Sequence, residues 1–181
     1  MNQPNTANSL NSLSFPKAIA DTNSLIAKIA DNQLNETEIE SGVSFFVKTI
    51  EGARGFFVAY LTSELEVSDH PSSGVIKGLQ SSPEIVSDLL VKNLAMCTAV
   101  ALFHRLNGDL TAASGSDWVQ RRTINLIQKL NSDVVTQKLQ ELEATIDNKS
   151  DVYQGFLDSQ NYNNEQKEQI KNIISLSLSS Q

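Results

Sequence analysis

Asp69 and His70 stand together in "SDHP", an acidic side chain beside an imidazole in a segment closed by Pro71. A carboxylate next to a histidine can orient a base, and serines are plentiful along the chain. A nucleophile, base and orienter are nevertheless defined by geometry rather than inventory, and Asp69 serves equally well as a turn residue. The second histidine, His104, lies just before Asn107-Gly108. There an imidazole interacts with the last carbonyls of a helix and the negative end of its dipole. Cys97 shares a helical face with His104, but seven residues of helix span about 10.5 Å, too far to hold one ion. With two histidines in the chain, no metal site is expected. Cys97 in "LAMCTAV" is read as a small core hydrophobe, and Trp118 as a core anchor.

The charge that fits least well is Arg54, in "GARGFFVAYLT". Val43, Val47, Ile50, Arg54, Phe57 and Leu61 succeed one another at +4, +3, +4, +3 and +4, which keeps side chains on one face of a continuous helix. Arg54 therefore occupies a core-type position. A buried, unpaired guanidinium costs several kcal/mol, so it needs a carboxylate, backbone carbonyls, an anionic ligand or an edge of the core. Glu51, three residues earlier, is the nearest partner. The readings are a structural Arg54–Glu51 pair or a snorkelling side chain that fixes how the helix packs, a subunit interface, or a planar fork holding an anionic molecule. Gly52, Gly55 and Ala59 form a separate small-residue side, suited to close approach of a neighbouring backbone.

The elements carrying these residues are helical almost throughout. A first helix follows Pro16 and ends at "DNQLNE"; a second starts near Asn35, behind Glu36, Glu38 and Glu40, and runs to about Leu65. Residues 66 to 78, with Pro71 and Gly74, form a loop leading to a helical turn. "SSPE" then opens a helix that stops at Asn107-Gly108. "DLTAASGS" is read as a linker, with Ser114 or Ser116 capping a helix over about 117–130; another over about 133–146 should pack antiparallel to it. Val135, Leu139, Leu142 and Ile146 form its apolar seam. Shorter helices near 151–158 and 164–177 complete an all-α, multi-helix bundle of about six to eight helices. The helices at about 36–65 and 83–106 are expected as its two long buried centres. Residues 1–14, rich in Asn and Ser, are expected as a disordered polar tail, 15–178 as a single helical domain and 179–181 as a flexible end.

Several function classes are disfavoured. A net charge of −7 opposes a phosphate backbone, and Arg121-Arg122, without basic or aromatic company, is read as solvated helix surface, so no nucleic acid is expected. "GARG" lacks the lysine and hydroxyl residue of a phosphate loop, the acidic linkers lack the glycine and glutamate of a calcium loop, and no cofactor motif occurs. Lys48, Glu51 and Arg54 interrupt the apolar run from Val43 to Leu61, so no membrane span is expected there. A single cysteine and a start without a secretory pattern suggest the cytoplasm. The leading expectation is a non-enzymatic interaction or regulatory protein that forms a homo-oligomer, because the helices carry more apolar surface than a small bundle needs. The alternative is a small-molecule-binding protein with Arg54 anchoring an anionic or amphipathic ligand in an apolar cavity. An enzyme built on His70 or His104 ranks third.

Overall fold

The protein is represented by a computed structural model that describes residues 13–179. Among them are nine α-helices and no strand: α1 Phe15–Ala30, α2 Glu36–Val47, α3 Ile50–Thr62, α4 Ser73–Gln80, α5 Pro83–Leu106, α6 Leu110–Leu130, α7 Asp133–Ile146, α8 Gln154–Gln160 and α9 Asn164–Ser179. A 3-10 turn, Glu66–Ser68, lies between α3 and α4. The tail expected at 1–14 falls outside the described residues as far as residue 12. Within them, Leu13 already packs on the core and Ser14 is the N-cap residue of α1. At the other end α9 continues to Ser179, and the rest of the flexible end expected at 179–181 lies outside the described residues.

The helix expected from 36 to 65 is two helices. Thr49 adopts an extended conformation (φ −127°, ψ 154°), and its Oγ accepts a hydrogen bond from Gly52 N at 3.1 Å, so a β-branched residue that opposes helix becomes the cap of the next one. The break resets the helical phase, and the face of α3 that turns inward carries Ala53, Phe56, Phe57 and Tyr60. The stacked rings of Phe56 and Tyr60, 5.2 Å apart, lie at its centre. A second departure concerns "DLTAASGS", which is helical. Asp109 Oδ1 accepts from Ala112 N at 2.9 Å, so α6 starts at Leu110 rather than near 117. Of the two long central helices expected, α5 holds its place and the first is replaced by the α2–α3 pair.

α2 opens with a capping box: Asn35 Oδ1 accepts from Glu38 N at 3.0 Å and Glu38 Oε2 from Asn35 N at 2.8 Å. The most extensive helix contacts join α5 to α6, α2 to α4 and α1 to α3. Two of these close packings depend on missing side chains. A Cβ on Gly55 would lie 2.9 Å from the Phe15 carbonyl of α1, and one on Gly78 would lie 2.6 Å from Val43 Cβ of α2. α4 is also held at its start, where Glu36 accepts hydrogen bonds from Gly74 N and, at 2.9 Å, from Ser73 Oγ. The Gly74 amide, with Ser73, keeps the Glu36 carboxyl below its ordinary value.

α5 is the axis of the C-terminal half, touching α6, α7 and α9. By length and composition it could cross a membrane, but half of that window is buried in the bundle. α6 and α7 were expected as antiparallel neighbours; instead each packs on α5, whose apolar circumference separates them. Val135, Leu139 and Leu142 are fully buried in the resulting seam and Ile146 partly so. Asp147 at the end of α7 pairs with Lys171 of α9 at 2.7 Å and with Lys149 at 2.9 Å, which hold its carboxyl down at about 2.

Candidate functional site

α6 presents Trp118, Arg122 and Asn125, spaced +4 and +3, to the chain leaving α3. Arg122 is 1% exposed, the largest fully buried side chain among the described residues. Its Nε donates to Asp69 Oδ1 at 2.8 Å and one terminal nitrogen to Asp69 Oδ2 at 2.7 Å, a bidentate pair. The remaining donors reach the carbonyls of Leu61 at 3.2 Å, Ser63 at 2.5 Å and Leu65 at 3.5 Å. The guanidinium lies 4.5 Å from the Trp118 ring centroid, Trp118 Nε1 donates to Asp69 Oδ1 at 3.3 Å, and Asn125 Nδ2 donates to the Asp69 carbonyl at 2.8 Å. Arg122, and then Trp118, hold the Asp69 carboxyl down at about 2 against the opposing effect of burial. Tyr60 OH adds a bond to the Val67 carbonyl at 3.2 Å. With its donors engaged, this arginine fastens residues 61–69 onto α6; it has no free edge to offer a substrate.

Arg122 therefore corrects the reading of Arg121-Arg122 as solvated surface, which holds for exposed Arg121 alone. The missed signal was periodicity, since Arg122 falls between Val119 and Leu126 at +3 and +4, on the inward stripe of α6. The same argument placed Arg54 in a core-type position, and there it fails because the helix is interrupted at Thr49. Arg54 is exposed, its guanidinium 5.3 Å from the Phe15 ring centroid. Glu51 is exposed too, and no Arg54–Glu51 ion pair occurs among the described residues.

Nor do Asp69 and His70 assemble into a dyad. The Asp69 carboxylate is taken by Arg122 and Trp118, while His70 is exposed, its backbone N–H donating to the Glu66 carbonyl at 3.2 Å. His104 is half-buried at the end of α5, edge-on to Phe103, and its carbonyl accepts from Asp109 N at 2.9 Å in the turn into α6. No hydrogen bond or ion pair among the described residues joins any two of Arg54, Glu51, Asp69, His70 and His104. Cys97 is buried and its Sγ donates to the Leu94 carbonyl at 3.3 Å; burial pushes the thiol up to about 12, away from thiolate chemistry.

Beside the Arg122 clamp, α5 and α6 part to leave a groove of about 500 Å³. α5 contributes Asn93, Met96, Cys97 and Val100, and α6 contributes Ala112, Gly115, Ser116 and Val119; Leu61, Thr62 and Trp118 close one end. The small residues of α6 make the groove: a Cβ added to Gly115 would meet nothing within 4 Å. None of these lining residues is charged. The apolar surface continues past Val100, since Met96, Val100 and Phe103, spaced +4 and +3, are 40%, 42% and 56% exposed, with Leu110 at 70% at the start of α6. A second cleft, of about 440 Å³, lies between the start of α3, the first turns of α5 and α7, and contains Arg54. The lining of the first space carries no charge, whereas the second is lined by Arg54, Glu84, Asp88, Lys92 and Lys138.

Residues 14–177 match the family described as Uncharacterised conserved protein UCP020893, and the chain belongs to that family. No curated protein and no solved structure matches it.

Proposed function

We propose that this chain is a non-enzymatic interaction protein that self-associates through the outer face of α5 and the α5–α6 groove. The observation that carries this reading is the row Met96, Val100 and Phe103, large apolar side chains left 40–56% exposed beside a groove. Contiguous apolar surface of this kind marks docking sites. A ridge and a groove lying side by side on one helix pair suit a two-fold contact, in which Phe103 of each copy enters the other's groove. Charge permits a second copy as the occupant at this face. Two chains of −7 each repel, so they meet best where neither presents a charge, and the groove lining contains none.

Sedimentation across a concentration series tests the reading. Wild type should dimerise, and Phe103→Glu, an exposed substitution that leaves the core alone, should sediment as a monomer with unchanged helical circular dichroism. A wild type that stays monomeric at every concentration removes the self-association reading. A variant that dimerises as tightly as wild type removes this face from it.

A further inference from the structure

The cleft that contains Arg54 holds an imbalance of charge. Arg54, Lys92 and Lys138 face it together with Glu84 and Asp88, three cations against two carboxylates in a chain of −7. Both carboxylates are committed: Lys138 sits 3.0 Å from Glu84, Lys92 sits 2.8 Å from Asp88, and Tyr153 OH donates to Asp88 at 3.2 Å. Lys92 is further held near the Tyr153 and Phe156 rings, 5.9 Å from each centroid. Arg54 has no carboxylate within ion-pair range among the described residues. Its contact with the Phe15 ring steadies the guanidinium from one face and leaves the in-plane N–H fork open. The walls between these charges are apolar, formed by Ile50, Ile85 and Leu89.

We propose that this cleft binds a small amphipathic monocarboxylate, its carboxylate on the Arg54 fork and its apolar body on Ile50, Ile85 and Leu89. The single uncompensated positive charge matches a monoanion. A phosphate dianion would meet Glu84 and Asp88 with one negative charge in excess. The volume of about 440 Å³ lies within the range of about 300–1,000 Å³ usual for small-molecule sites. This site stands apart from the α5–α6 groove and does not depend on self-association.

Octanoate is the probe, followed by amide chemical shifts in a heteronuclear NMR titration, with 1-octanol and inorganic phosphate as comparison arms. Octanoate should shift amides around residues 50–54 and 85–92. Octanol and phosphate should each bind at least about tenfold more weakly, because each supplies half of the recognised chemistry. Arg54→Met should weaken octanoate at least about tenfold and Arg54→Lys less, since a point charge retains attraction and loses the fork. The proposal is overturned if octanol or phosphate matches octanoate, if Arg54→Met binds octanoate as wild type does, or if the shifts fall on residues 96–119 instead. The comparison of the three probes on wild type decides the matter even if Arg54→Met fails to fold.

Discussion

Replacing Asp69 by Asn tests the Arg122 clamp directly. Arg122 stays buried, 1% exposed, bonded to three carbonyls and stripped of its counter-charge. Moving the Asp69 carboxyl from 3.8 to about 2 corresponds to about 2 kcal/mol, at about 1.4 kcal/mol per tenfold in proton affinity. The Asp69 side chain is 34% exposed, so screening reduces the share recoverable by protonation to about 1–2 kcal/mol. Removing one partner of a fully buried pair costs about 3–5 kcal/mol, and the half-open carboxylate places Asp69→Asn below that, at about 2–3 kcal/mol. Arg122→Met leaves the Leu61, Ser63 and Leu65 carbonyls without their donor and should cost a similar amount. The double variant should lose less than the sum, because no unpaired charge remains. Urea unfolding at neutral pH, followed by circular dichroism and by the fluorescence of Trp118, the sole tryptophan, measures all three. The carboxyl is lowered in the folded state, so its contribution is complete above about pH 4 and is lost as pH falls towards 2. A cost for Asp69→Asn below about 0.5 kcal/mol, together with additive single variants, would refute the account of the clamp.

Two glycines should respond in opposite directions. Gly115→Ala adds a methyl group where a Cβ meets nothing and should stabilise α6 by about 0.5–1 kcal/mol in thermal unfolding of the monomer. Gly78→Ala drives a methyl to 2.6 Å from Val43 Cβ and should cost about 1–3 kcal/mol in the same measurement. Cys97 should react with a thiol reagent at mildly alkaline pH far more slowly than an exposed cysteine, since it is 7% exposed in the groove wall and its thiol is pushed up to about 12; prompt stoichiometric labelling of the native state would contradict that placement.

Helical class was legible because apolar residues recur at helical spacing for most of the chain, and caps such as Asn35 with Glu38 and the stop at Gly108 (φ +75°) mark the ends. The break at Thr49 was not, because apolar residues recur at helical spacing on both sides of it, which conceals a change of phase, and one threonine is weak punctuation. That single omission moved Arg54 from the surface into an imagined seam. Arg122 was hidden for a different reason. Its partners, Leu61, Ser63, Leu65 and Asp69, lie more than fifty residues away and include three backbone carbonyls, which carry no side-chain signature. The groove was invisible as well, since the Ala and Gly residues that open it resemble linker composition. The excess of apolar surface was visible in the sequence; its location on the outer face of α5 required the packing.

The Glu36 contacts with Ser73 and Gly74 bear on the order in which the chain folds. α4 has eight residues, below the roughly 12–15 that an isolated helix needs to persist in water. At its start the Ser73 hydroxyl and the Gly74 N–H donate to the Glu36 carboxylate, 37 and 38 residues upstream, and Gly78 seats it against Val43 of α2. α4 thus gains its helical state from α2, which has its own capping box and can nucleate locally. Folding should run from α2 to α4, with α4 consolidating after the transition state. Lys77→Gly, which lowers helix propensity at an exposed position of α4, should then accelerate unfolding and leave the refolding rate unchanged.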